Sequence, residues 1–244
     1  PPTSRPEDGC PDEELLQDLR ALKNQPGATV VLTTGRHMQT MRTWFASTGV
    51  DLVAEFGACV HRDGVTTCSG VDVEWKQHVR PVLDRLAYMA VGSWVEEKEY
   101  TLAWHYRNTD KELTAYRLRE IKRGVTYCTT NHNLQVVAGN CVVEVRSAEV
   151  SKGRAAKQWV GEGWDCVVCV GAFESDDDVF EVMPAGAWCI KVGITEETEA
   201  GYKVRDINDV RALLHELAGN DSTHHTTRDS GTVMHANTEG PAGT

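Results

Sequence analysis

The sequence predicts an α/β protein: a Rossmann-like core with a parallel sheet, and a smaller α+β module inserted into it. Three observations predict this. Strand-length apolar runs alternate with helical spacing over residues 12–56 and again over 152–217. Such alternation implies parallel strands joined by right-handed crossovers. Between them, at roughly 71–149, the pattern turns aromatic-rich and hairpin-like. Finally, the apolar run Cys166 to Val170 feeds Gly171 and then a cluster of acids, and ligands of α/β proteins sit at the carboxyl ends of parallel strands.

Each element has its own reason. Residues 12–24 place Leu15, Leu16, Leu19 and Leu22 at helical spacing, and Pro26-Gly27 ends the helix. Residues 28–34 form a continuous apolar and β-branched run, the mark of a strand buried on both faces. After Gly35-Arg36, residues 37–47 are helical, with Met38, Met41, Trp44 and Phe45 on one side. Residues 51–56 are a short strand closed by Gly57. In the middle, 73–89 is a helix with Trp75, Val79, Val82, Leu83 and Leu86 apolar. Residues 94–106 suggest antiparallel strands and 112–123 a helix. Residues 134–138 and 141–146 flank Gly139-Asn140, a hairpin signature. The alternation then returns: helix 152–160, strand 165–170, helix 177–183, strand 188–192 and a mainly helical 204–217. The organisation is therefore a core of 1–70 and 150–218, an insert of 71–149 and a disordered tail of 219–244, polar and without periodicity.

Composition bounds the function. The 244 residues suffice for one large or two small domains, and 41% hydrophobic content for a real core. The net charge of −11 argues against nucleic acid and against an anionic membrane surface. No run approaches the roughly 18 apolar residues of a spanning helix. The opening Pro-Pro-Thr-Ser-Arg-Pro-Glu-Asp lacks an apolar signal core. Eight scattered cysteines, several in apolar runs such as Cys141 and Cys189, fit reduced thiols in a cytoplasmic protein. Cys166 and Cys169 fall in a predicted strand, where residues three apart face opposite ways, so neither a shared metal nor a disulfide is expected.

Several segments together resemble one family. Ala28-Thr-Val-Val-Leu-Thr-Thr-Gly-Arg36 resembles the second motif of haloacid-dehalogenase-type phosphatases. Leu52-Val-Ala-Glu-Phe-Gly-Ala58, Gly92-Ser-Trp-Val-Glu-Glu-Lys98, Thr101-Leu-Ala-Trp-His-Tyr-Arg107, Val142-Val-Glu-Val-Arg146 and Ser151-Lys-Gly153, in that order, resemble trehalose-6-phosphate phosphatases. The resemblance covers roughly residues 10–217. It implies a haloacid-dehalogenase-like core with an inserted cap, Mg2+ as cofactor and trehalose 6-phosphate as ligand. Such domains also occur fused behind a trehalose-phosphate synthase domain, sometimes without activity.

In the resembling family an aspartate attacks phosphorus, and a second aspartate two residues on protonates the leaving sugar. Phosphoryl transfer is mostly positioning and charge neutralisation. Thr34, at a strand end, would hydrogen-bond a phosphoryl oxygen, with Arg36 beside it. Lys152, at a helix start, would neutralise phosphate as a point charge. Asp176, and Asp177 next to it, would hold the metal. On the insert, Glu96, Lys98 and Glu144 match positions that hold sugar hydroxyls. Carboxylates and ammonium groups suit a polyol, and a spacing of two places Glu96 and Lys98 on one strand face. His105, also on a strand, reads as structural.

Two departures cut against catalysis. The family's Asp-x-Asp-Gly-Thr, at the end of a first strand in the centre of the sheet, occurs nowhere in this chain. A fragment whose upstream part supplies it is one reading of that absence; a domain that lacks it is the other. The acidic motif, Gly-Asp with a further Asp four residues on, here reads Gly171-Ala172 followed by Asp176. Three functions follow: a phosphatase recorded as a truncated chain; a non-catalytic sugar-phosphate-binding or interaction domain fused to a synthase; or another sugar phosphatase of the same fold. Without its first strand, the core is expected either to leave an unpaired slot between strands 28–34 and 165–170 or to close them together.

Overall fold

The computed structural model describes residues 9–110, 124, 133–139, 141–193 and 197–219. The helix expected over 112–123 and nearly all of the expected tail lie outside them.

The first sheet runs in the order β1 (Val31–Thr33), β2 (Asp51–Ala54), β3 (Cys59–Arg62), β4 (Val65–Cys68). β1 and β2 are parallel, with Leu32 opposite Leu52; β3 and β4 add antiparallel. Two helices cover one face. In α1 (Glu13–Lys23) the side chain of Asp12 accepts from the Leu15 N–H at 2.9 Å and caps the N-terminus. In α2 (Met38–Phe45) His37 takes that role for Gln39. Leu19, Met38, Met41 and Phe45 pack there on Leu52 and Ala54. On the other face Val53 meets Ala155 and Trp159, so β2 is buried throughout.

A second sheet is all antiparallel, in the order β5 (Trp94–Glu97), β6 (Thr101–His105), β8 (Val142–Ser147), β7 (Leu134–Gly139). Helix α3 (Lys76–Met89) seals one side of it. Val79, Leu83 and Leu86, with Trp75 just before the helix, pack against Leu102, Trp104, Val143 and Val145. The period of two then turns Glu96, Ala103, His105 and Glu144 to the opposite face. The register sets Glu96 opposite Ala103 and Ala103 opposite Glu144, a row across three strands.

The third sheet is parallel, in the order β9 (Val168–Gly171), β10 (Trp188–Val192), β11 (Tyr202–Val204). Short helices α4 (Lys152–Ala156) and α5 (Asp177–Phe180) pack together near its edge, and α6 (Ile207–Leu217) lies against α1, where His215 Nδ1 is 3.0 Å from Asp18. This is the α/β architecture expected from the sequence.

β1 and β9 belong to different sheets. Between them lies a cavity of about 200 Å³, walled by Val31 and Thr33 on one side and Val168 and Val170 on the other. The slot, not the closed alternative, is what forms. It explains two differences from the sequence reading. The strand of 28–34 shrinks to three half-buried residues. The strand of 165–170 starts only at Val168, which is 41% exposed and leaves Cys166 outside it.

One expectation is corrected outright. Cys59 and Cys68 form a disulfide, whereas reduced thiols were expected. The cause is the β3–β4 hairpin, which turns at Asp63-Gly64, both with positive φ. Its register brings Cys59 directly opposite Cys68. Cys166, exposed, and Cys169 are free thiols, so the expectation of one buried strand holding both fails for Cys166; burial pushes the Cys169 thiol up to about 12. Among the described residues no helix is long and apolar enough to cross a membrane.

Candidate functional site

The C-terminal ends of β1 and β9 open into one cavity of about 880 Å³, which the second sheet covers from the other side. Thr34, Lys152 and Asp176 line its floor; Glu96, Lys98, His105 and Glu144 line its roof, and Arg36 its wall. The structure thus gathers every sequence-selected residue except Asp177. That carboxylate turns into a neighbouring depression, paired to Lys191 Nζ at 3.0 Å and to Thr198 Oγ1 at 2.6 Å. Burial works to raise the Asp177 carboxyl, but those partners outweigh it and hold it below its ordinary value.

On the floor, Thr34 donates its N–H to the Val53 carbonyl, and its Oγ1 accepts from the Arg36 N–H at 3.1 Å. Ser151 caps α4 by accepting from the Arg154 N–H. That cap sets Lys152 on the buried side of the first turn. Its Nζ reaches Ser175 Oγ at 3.1 Å and Asp176 Oδ1 at 2.6 Å. Asp176 Oδ2 accepts the N–H groups of Ala172 and Phe173, both at 2.9 Å. Gly171 permits this: a Cβ there would collide with the Asp176 side chain. The ring of Phe56 carries Arg146 at 4.2 Å and Lys152 at 5.4 Å, so two cations share one aromatic ring.

On the roof, Lys98 Nζ donates to the Gly35 carbonyl at 2.9 Å and to Glu144 at 3.2 Å, tying the second sheet to the loop after β1. His105 Nε2 lies 2.8 Å from Glu96. Burial works to raise the Glu96 carboxyl; His105, Lys98 and Arg36 together hold it below its ordinary value. Arg36 sits over Trp44 at 4.8 Å, and burial lowers its guanidinium against the pull of Glu96. A second tie is Glu55, wholly buried, which accepts the Tyr100 N–H at 2.7 Å and the Glu99 N–H at 3.4 Å. Neither Glu55, inside the Leu52–Ala58 segment, nor Ser175 was among the residues expected at the site. A lone acid inside an apolar strand end was the available signal for Glu55.

Magnesium needs several hard oxygen ligands in near-octahedral array. Here both Asp176 oxygens are committed, to an ammonium and to two backbone N–H groups, and Ala172 has no side-chain oxygen. Among the described residues the close sets of His, Cys, Asp and Glu atoms are Cys59, Cys68, Glu99 and His37, Glu55, Glu99, neither on this floor. The residues present do not fit the ion. What the floor offers is a buried cation beside hydroxyls, suited to an anion; what the roof offers is charged hydrogen-bonding groups suited to a polyol.

A parallel α/β core with its cavity at the strand ends and an antiparallel sheet across the mouth defines a haloacid-dehalogenase-like phosphatase fold. The trehalose-phosphatase family profile matches residues 1–207, and the chain belongs to that family. A bifunctional trehalose-6-phosphate synthase/phosphatase from Thermoproteus tenax is 35% identical over 215 residues, covering 87% of this chain and 29% of the relative. A probable trehalose-phosphate synthase from Arabidopsis thaliana is 29% identical, covering 87% and 27%. The chain therefore spans less than a third of the length of these relatives. Among solved structures, the C-terminal domain of Candida albicans trehalose-6-phosphate phosphatase superposes with a TM-score of 0.84 at 23% identity, covering 90% and 88%. The phosphatase of Aspergillus fumigatus gives 0.61 at 26% identity, covering 91% and 89%.

Proposed function

We propose that this domain binds trehalose 6-phosphate and does not by itself hydrolyse it. Thr34 and Lys152 take the phosphate, with Arg36 beside them; Glu96, Lys98 and Glu144, on a cap of about 71–149, take the sugar. The observation that carries the reading is the state of Asp176. Its carboxylate is held by Lys152 and two N–H groups, and Ala172 stands where the family's metal-binding acid belongs. Recognition and chemistry rest on different residues here, so recognition outlasts chemistry. The two relatives named as synthases are much longer than this chain, which supports a place beside a trehalose-phosphate synthase domain in one polypeptide. Cap closure on the ligand would then shift an open–closed equilibrium by its differential affinity and report sugar phosphate to that neighbour.

The test has two arms. Phosphate release from trehalose 6-phosphate with Mg2+ should be absent, and a turnover that survives purification would refute inactivity. Calorimetry should give heat with trehalose 6-phosphate that needs no metal. No heat, or equal heat with glucose 6-phosphate, would leave a structural or protein-binding role instead.

A further inference from the structure

The geometry points to His105 as a positioning residue that fixes the Glu96 carboxylate for sugar recognition; this rests on the sugar-phosphate reading above. His105 ends β6 on the cavity face, paired in register with Trp94 on one side and Val142 on the other. Its ring lies on Trp94 with centroids 4.3 Å apart and planes 14° from parallel. That stack sets the plane of the imidazole and aims Nε2 at Glu96 Oε2, 2.8 Å away.

An ionised carboxylate only accepts hydrogen bonds, so this contact requires a proton on Nε2. Lys98 cannot do the same work. It stands 3.8 Å from the same oxygen, and its ammonium already serves Gly35 and Glu144. His105 therefore clamps one oxygen of Glu96 and leaves the other to accept a sugar hydroxyl. An unclamped glutamate would have to be ordered by the ligand, at a cost in affinity. The competing account is that His105 merely packs on Trp94. The two accounts differ in what can replace it: a donor at the Nε2 position in the first, an aromatic ring in the second.

Calorimetric titration of the chain and its variants with trehalose 6-phosphate, and separately with inorganic phosphate, distinguishes them. His105→Gln, whose amide can reach the Nε2 position, is expected to stay within about threefold of the parent. His105→Phe, which keeps the stack and loses the donor, is expected to bind about tenfold more weakly or worse, as for a lost hydrogen bond to a charged group. Inorganic phosphate, which needs only the floor, should bind both variants equally. If His105→Phe does not fold, His105→Leu carries the same expectation. Retained affinity in the Phe or Leu variant, or loss in the Gln variant, overturns the role of His105 and leaves the ligand assignment intact. No binding of trehalose 6-phosphate by the parent overturns both.

Discussion

Lys152 Nζ lies 2.6 Å from Asp176 Oδ1, and both side chains are buried. The partners are unequally supported. Asp176 holds two backbone N–H groups besides the lysine, whereas Lys152 adds to the aspartate one hydrogen bond, to Ser175, and the looser contact with the Phe56 ring. Removing the acid strands a buried cation and two donors. Asp176→Ala should therefore cost about 3–5 kcal/mol, and Lys152→Ala less. Urea unfolding measures both, and the reverse order would contradict this account.

Glu55 gives a pH dependence. Burial raises its carboxyl, and the Tyr100 N–H, His37, Lys98 and the Glu99 N–H only partly offset this. The folded value thus lies above the unfolded one, about 4.3. The folded protein binds the proton more tightly, so the Glu55 contribution is full below the unfolded value and is lost as pH rises through the folded one. Glu55→Gln should flatten that decline relative to the parent. It should also be about 1–3 kcal/mol less stable, since an amide nitrogen cannot accept the second N–H. Melting both proteins from pH 4 to 7 checks it; parallel curves would remove Glu55 as the cause.

Gly153 approaches the Asp178 carbonyl so closely that a Cβ would strike backbone rather than a movable side chain. Gly153→Ala should destabilise by about 1–3 kcal/mol or more. It should also loosen the packing of α4 on α5, visible as weaker near-ultraviolet dichroism.

The Cys59–Cys68 bridge closes a loop of sequence separation 9. Loop entropy alone assigns it about 2–3 kcal/mol. A reducing agent should lower the urea midpoint of the parent by a matching amount and leave the double serine variant unmoved.

Lys98 links roof to loop through Gly35 and Glu144. Lys98→Ala is expected to weaken trehalose 6-phosphate binding by about 1.5–3 kcal/mol. Inorganic phosphate, titrated in parallel, should be unaffected.

Much of this was legible because it depended on local period and order. The spacing of Glu96 and Lys98 fixed a shared face before any pairing was known, and the alternation fixed the parallel pairings of β1 with β2 and of β9 with β10. Three things were not legible. The β3–β4 hairpin carries Asp63-Gly64, among the strongest turn signals, yet its strands have the polar Arg62, Thr66 and Thr67 and no apolar alternation; the disulfide went unseen with it. The fate of Asp177 depended on Lys191, a distant partner on β10. The partnership of His105 with Glu96 needed the β5–β6 register, which an aromatic run does not specify.

The slot between β1 and β9 has a consequence for how the backbone exchanges with solvent. Among the described residues no ladder of hydrogen bonds joins the first sheet to the third, so their opening need not be concerted. Amides of β2, paired on both sides, should exchange only through global unfolding, whereas the outward edges of β1 and β9 should exchange through local opening. Two protection classes inside one α/β core would follow, and any segment that fills the slot as a strand should merge them into one.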